Sequence, residues 1–179
     1  MKTIILILSM AFPIFSQWET GASYKIKSET PKHGIGININ RNLPFQGATF
    51  GIHLRAEVNL FRETASVNFT GINEEDKFLS EDYNLHIIGN YFFRYFTPYF
   101  GFGLGYGELS TIRQSWQGFV LSLVAGNKFN ISDIVNPYLE IQLFNYFADF
   151  ESRLWGKSMS TYQIRGAIGI NISINTLSN

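Results

Sequence analysis

The run Phe50-Gly51-Ile52-His53-Leu54-Arg55-Ala56-Glu57-Val58-Asn59-Leu60 is apolar at every even position and polar or glycine at every odd one. An extended strand turns successive side chains to opposite faces, so this segment has one apolar and one wet face. Helical periodicity is weak along the rest of the chain, and the period of two recurs. It predicts strands over 34–41, 48–61, 65–72, 83–94, 98–109, 116–129, 137–149 and 161–174. Residues 17–33 read as a lead-in segment or as an extra strand.

The N-terminus follows a different rule. Lys2 precedes the apolar run Ile4 to Phe15, which closes on Ser16-Gln17, the grammar of a secretory signal. The run is too short for a bilayer-spanning helix, which needs about 20 apolar residues. We therefore assign 1–16 to a cleaved signal peptide, 34–174 to one barrel domain and 175–179 to a C-terminal tail. With no cysteine in the 179 residues, a lipid-anchored lipoprotein, disulfides and thiolate metal sites are excluded. The chain holds 14 basic and 14 acidic residues, a balance that offers nothing to a nucleic acid. Its 17 Phe and nine Tyr need a large core or a lipid boundary.

Alternation alone does not say which face is outside. Gly101, Gly103, Gly105 and Gly107 all lie opposite Phe100, Phe102, Leu104 and Tyr106. A water-exposed row of glycines would weaken a strand for no gain, whereas inside a narrow barrel it leaves room for facing side chains. Strands of ten or more residues match a tilted bilayer crossing. Aromatics gather near strand ends: Tyr91, Phe93, Tyr95, Phe96 and Phe100 on one side, and Phe45, Phe50, Trp116, Phe147, Phe150 and Trp155 on the other. Two such girdles are expected of a membrane barrel. With a periplasmic N-terminus, inner turns are expected near 62–64, 95–97 and 130–136, and outer loops near 42–47, 73–82, 110–115 and 150–160. The expected fold is all-β, an eight-stranded antiparallel up-and-down transmembrane β-barrel in a bacterial outer membrane.

The polar face then carries a lumen cluster of His53, Arg55, Glu57, His86, Arg94, Glu140 and Arg165. Unpaired charges in a packed interior are costly, so these groups are expected to pair and fill a barrel just wide enough for side chains. The histidines His33, His53 and His86 have no metal-ligand spacing, and no cofactor is expected. A catalytic reading pairs His53 with Ser66, but both fall at inward positions away from lipid.

The stretch Pro98-Tyr99-Phe100-Gly101-Phe102-Gly103-Leu104-Gly105-Tyr106-Gly107 resembles the signature of small OmpA/OmpX-like outer-membrane β-barrel proteins, and Pro137-Tyr138-Leu139-Glu140 resembles a second, weaker one. The resemblance spans most of 34–174. It departs at the end, Ile174-Asn175-Thr176-Leu177-Ser178-Asn179, where such barrels commonly finish on an aromatic residue that the assembly machinery reads. No second domain is expected after the barrel, and with it no peptidoglycan-binding module like that of larger relatives. The resemblance implies envelope integrity or surface binding, with outer-membrane lipid, lipopolysaccharide, the barrel-assembly machinery and an external ligand as partners of a monomer. The rival readings are a lipid-modifying barrel enzyme, which a rim His near a Ser on the lipid side would favour, and a secreted lipocalin-like carrier with a hollow apolar interior.

Overall fold

In the computed structural model, which describes residues 18–28, 31–43, 49–69, 72–110, 115–149 and 159–174, every regular element is a strand. In chain order these are β1 (Trp18–Lys27), β2 (His33–Asn42), β3 (Phe50–Phe69), β4 (Ile72–Tyr91), β5 (Phe96–Ser110), β6 (Ser115–Phe129), β7 (Val135–Asp149) and β8 (Met159–Ile174). Each pairs antiparallel with the next, and β1 pairs with β8, so the sheet is a closed eight-stranded barrel. Closure abolishes sheet edges, which in lipid would leave backbone N–H and C=O groups without partners.

Register fixes the shape. Cross-strand partners followed once around from Trp18 run through Arg41, Leu54, Ile87, Phe102, Leu123, Leu143 and Ile164. Ile164 then meets Ser28, ten residues further along the first strand. That stagger tilts the strands by roughly 35–45° in a barrel of this size. Trp18 and Ile174 pair at one end, the near end, and the opposite end is the far end.

Strand composition explains the inside and the outside. The isoleucines at 35, 37 and 39 of β2, and at 168, 170 and 172 of β8, all point outward and are exposed. Phe100, Phe102 and Leu104 of β5 do the same. Alternate positions are buried and mostly polar, among them Asn38, Arg55, Glu57, His86, Gln142 and Arg165. The apolar face is thus the outer face, the inverse of a soluble barrel. At the stated tilt, ten residues rise about 25 Å, the height of the apolar band on an outer-membrane barrel.

The structure decides one open alternative in the expected strand map and corrects three of its features. Trp18–Lys27 is a strand of the barrel. Its outward Thr20 and Ala22 blur the apolar face, and pairing with isoleucine-rich β2 and β8 holds it in place. No link occurs at 62–64, because β3 runs unbroken to Phe69 and the expected strand 65–72 is its continuation. The segment 73–82 is the start of β4 and not an outer loop. The strand left open and one false division cancel in the count, but the first loop changes ends. The 42–47 link joins β2 to β3 at the near end, so Phe50 lies there too, against Tyr91 at 5.6 Å between ring centroids. Residues 1–16, 150–158 and 175–179, and with them Phe150 and Trp155, lie outside the described residues, as do Phe45 and the Trp116 side chain.

Polar partners mark both margins of the apolar belt. At the near end, stacked or edge-on rings run from Phe50 through Tyr91 and Phe93 to Phe96, while Arg41 covers Trp18 and Arg94 covers Tyr95. Toward the far end three outward tyrosines meet polar partners: Tyr24 Oη with His33 Nδ1 at 2.6 Å, Tyr83 with Glu81 at 3.2 Å and Tyr106 with Gln117 at 2.7 Å. A ring in the apolar belt with its hydroxyl among polar groups is the behaviour of an interfacial tyrosine.

Candidate functional site: the filled lumen

The barrel interior is a column of polar layers. Nearest the near end, Lys128 Nζ donates to Glu19 Oε1 at 2.8 Å, and Asn90 Nδ2 lies 2.6 Å from His53 Nδ1. Above them Arg55 forms an ion pair with Glu140 and donates through Nε to Asn40 at 2.9 Å. The Tyr99 hydroxyl donates to the same Glu140 oxygen at 2.7 Å. Next, Lys25 Nζ donates to Glu57 at 2.6 Å.

Gln142 links these two ion pairs. Its amide nitrogen donates to Glu57 at 3.0 Å and to Glu140 at 2.6 Å, and its oxygen accepts from Lys25 at 3.1 Å. Toward the far end Asp82 takes four donors: Arg165 at 2.6 Å, Tyr146 at 3.3 Å, Asn59 at 2.7 Å and Asn84 at 2.5 Å. The guanidinium of Arg165 also lies over the Phe144 ring, 3.7 Å from its centroid, and near Phe61. These three ion pairs have side chains no more than 1% exposed, whereas Glu19–Lys128 keeps 11–17%. Buried charges of both signs, each in contact with its opposite, meet the condition under which ions persist in a packed interior.

The glycine row supplies the volume. A Cβ on Gly103 would strike the His86 ring and stand 2.7 Å from Ser122 Oγ. On Gly107 it would lie 2.5 Å from the Tyr146 ring, and on Gly101 2.7 Å from Ile88 Cγ1. On Gly105 it would strike Asn84 and sit 2.5 Å from the Tyr83 carbonyl. One wall of the lumen is bare backbone so that side chains from β4, β6 and β7 reach across it.

Of the seven residues that the sequence groups in the lumen, the structure sets six on the inward face: His53, Arg55, Glu57, His86, Glu140 and Arg165. Arg94 is a correction. It belongs to the exposed turn after β4, because that strand ends at Tyr91, and its guanidinium lies over Tyr95 at 5.1 Å. Two partners escape sequence reasoning. Lys25 sits in the unassigned segment, and Asp82 in a stretch read as loop, yet each completes a buried ion pair.

Neither Ser–His contact has the form of an accessible catalytic centre. His53 and Ser66 lie on the same strand, so they cannot face one another across a pair. His86 Nε2 stands 3.0 Å from Ser122 Oγ, but both are enclosed at the heart of the column. At the lipid-side rim the exposed His33 meets Tyr24 and not a serine. Among the described residues no group of three or more His, Cys, Asp or Glu is placed to hold a metal ion.

No protein-family model matches the chain, and no curated protein matches its sequence. Solved structures do match its shape. Neisserial surface protein A superposes with a TM-score of 0.57 at 9% identity, covering 89% of this chain and 97% of that one. The N-terminal β-barrel domain of Pseudomonas aeruginosa OprF gives 0.57 at 11% identity, over 88% and 97%. The attachment invasion locus protein Ail of Yersinia pestis gives 0.52 at 15%, over 89% and 97%. At these identities the likeness speaks of architecture, and the architecture is that of the eight-stranded outer-membrane β-barrels, including those of the OmpA/OmpX-like type.

Proposed function

We propose that this chain is a non-enzymatic barrel of a bacterial outer membrane, reached through a cleaved signal peptide. It acts as a monomer in envelope structure or surface binding. The observation that carries this reading is the filled lumen. Three fully buried ion pairs and the rings of Phe61, Tyr99, Tyr138, Phe144 and Tyr146 occupy the space a solute would need. A barrel closed inside and apolar outside has its ends left for interaction. With the near end periplasmic, the far end faces the cell exterior.

There β3 and β4 outrun their neighbours. Pairing of β3 with β2 stops at Gly34–Phe61 and that of β4 with β5 at Leu79–Ser110, while β3 and β4 stay paired as far as Phe69–Ile72. The projecting two-stranded ribbon carries Glu63, Glu74, Glu75 and Asp76 against Arg62 and Lys77. It is the natural contact for an external ligand, and lipopolysaccharide and the barrel-assembly machinery are the expected envelope partners. Cell fractionation with a folded-versus-boiled gel shift tests the location, and planar-bilayer recording tests closure. A protein found soluble in the periplasm, or large steady conductance from the intact barrel, would overturn the reading.

A further inference from the structure

The far-end rim is electrically divided. On β4 and β5 the outward Glu81 and Glu108 are directly opposite each other, a like-charge pair that disfavours any anion. On the arc from β1 to β3 basic side chains gather, with the Glu63 carboxylate beside them. His33 follows the outward series Ile39, Ile37, Ile35, and Arg62 follows Val58 and Leu60 on the same face. One step beyond the Gly34–Phe61 pair sets His33 beside Arg62, and Lys32 immediately precedes His33. Among the described residues no carboxylate forms an ion pair with these three side chains. Glu29 lies outside the described residues.

The arc is also held in place. Lys27 N donates to Lys32 O at 2.8 Å, Ser28 N to Ile164 O at 2.9 Å and Lys32 N to Glu63 Oε2 at 2.6 Å. The turn is thereby tied to β8 and β3. His33 Nδ1 is engaged by Tyr24, whose ring lies nearly parallel to the imidazole, 20° apart. That contact leaves Nε2 as the nitrogen available to a ligand.

Resting on the outer-membrane reading, we propose that His33, Arg62 and Lys32 form a binding site for the phosphate of a lipid headgroup in the outer leaflet. Position and charge select this occupant. Tyr24, Ile35 and Leu60 directly below are exposed and apolar, so an acyl chain lies along them while the phosphate meets the cations above. Arg presents parallel N–H donors to phosphate oxygens, His33 Nε2 adds one donor and Lys32 adds charge. Next to the site, Glu81 faces Leu60 across the β3–β4 pair and Glu108 follows on β5, so the headgroup is kept to the β1–β3 side.

The test uses the full barrel in phosphatidylcholine nanodiscs holding a small fraction of spin-labelled phosphatidic acid. A fluorophore is attached to a cysteine placed at Thr64, beside the site, or at Gln117 on the opposite arc. Quenching at 64 should saturate at about tenfold lower phosphatidic acid than at 117, and His33→Gln with Arg62→Gln should abolish the difference. Spin-labelled phosphatidylcholine should quench both positions alike, and Arg94→Gln at the near end should change nothing. Equal saturation at 64 and 117, or a difference that survives the double substitution, would overturn the site. Displacement by millimolar inorganic phosphate would overturn the lipid headgroup as its ligand. A chain that fails to insert, judged by the gel shift, would overturn the membrane reading instead.

Discussion

Removal of Asp82 should damage the barrel more than removal of Arg55, although each breaks one buried ion pair. Deleting one partner of such a pair typically costs about 3–5 kcal/mol, because the other charge is left buried without compensation. The structure places the two substitutions at opposite ends of that range. After Arg55→Met, Glu140 still accepts from Tyr99 and from Gln142. Those two bonds, at about 1.5–3 kcal/mol each to a charged group, hold the loss near 3 kcal/mol.

Asp82→Leu removes the common acceptor of four donors, and among the described residues Arg165 keeps the neutral Tyr146 and Gln163 as hydrogen-bond partners. Its loss belongs near 5 kcal/mol. The pair itself is measured by a cycle: Arg55→Met, Glu140→Leu and both together, refolded into lipid vesicles and unfolded in urea. A coupling of about 2–3 kcal/mol is expected, since the double variant leaves no bare charge. Strict additivity, or Arg55→Met as costly as Asp82→Leu, would refute the argument that residual partners set the loss.

Three further outcomes follow from the inside–outside assignment. Gly103→Leu should overpack the lumen against His86 and Ser122, blocking folding or costing about 1–3 kcal/mol in the same urea assay; a neutral result would place position 103 on a free surface. Ile37→Arg, halfway along β2 and exposed to the apolar belt, should cost roughly 2–4 kcal/mol in vesicles. Single cysteines at Ile168 and Ala167 should differ in quenching by a lipid-confined probe, strongly at 168 and weakly at 167, and equal quenching would reverse the orientation of β8.

What was legible in the sequence follows the lipid. Where a strand crosses the belt, one face must be apolar and the other must fill the lumen, so β2 and β5 to β8 stand out by alternation alone. The rule fails where that constraint lapses. Past Phe61 the outer face of β3 leaves the belt, and Arg62-Glu63-Thr64 reads as a turn although the backbone continues. In β1 the outward face carries Thr20 and Ala22 and the inward face Lys25 and Lys27, so neither contrast is sharp. Alternation sorts Arg55, Glu57, Glu140 and Arg165 onto one face, but choosing partners requires the stagger of the barrel. Only that stagger brings Arg55 of β3 to Glu140 of β7, and Arg165 of β8 to Asp82 of β4.

The β1–β8 seam sets the order of assembly. Trp18 pairs with Ile174, almost the whole chain away, so the first strand synthesised cannot find its second neighbour until the last has been made. Such distant pairings are slow, because a long loop must be closed before any contact repays the lost freedom. The β3–β4 hairpin is the counterpart, a local contact of twenty facing pairs across a two-residue link. It is the natural nucleus, with the remaining strands added on either side and the seam closing last. Until that moment the nascent sheet has two raw edges and an exposed isoleucine face, a combination prone to aggregate in water. Refolding into lipid vesicles should therefore be limited in rate by formation of the Trp18–Ile174 seam.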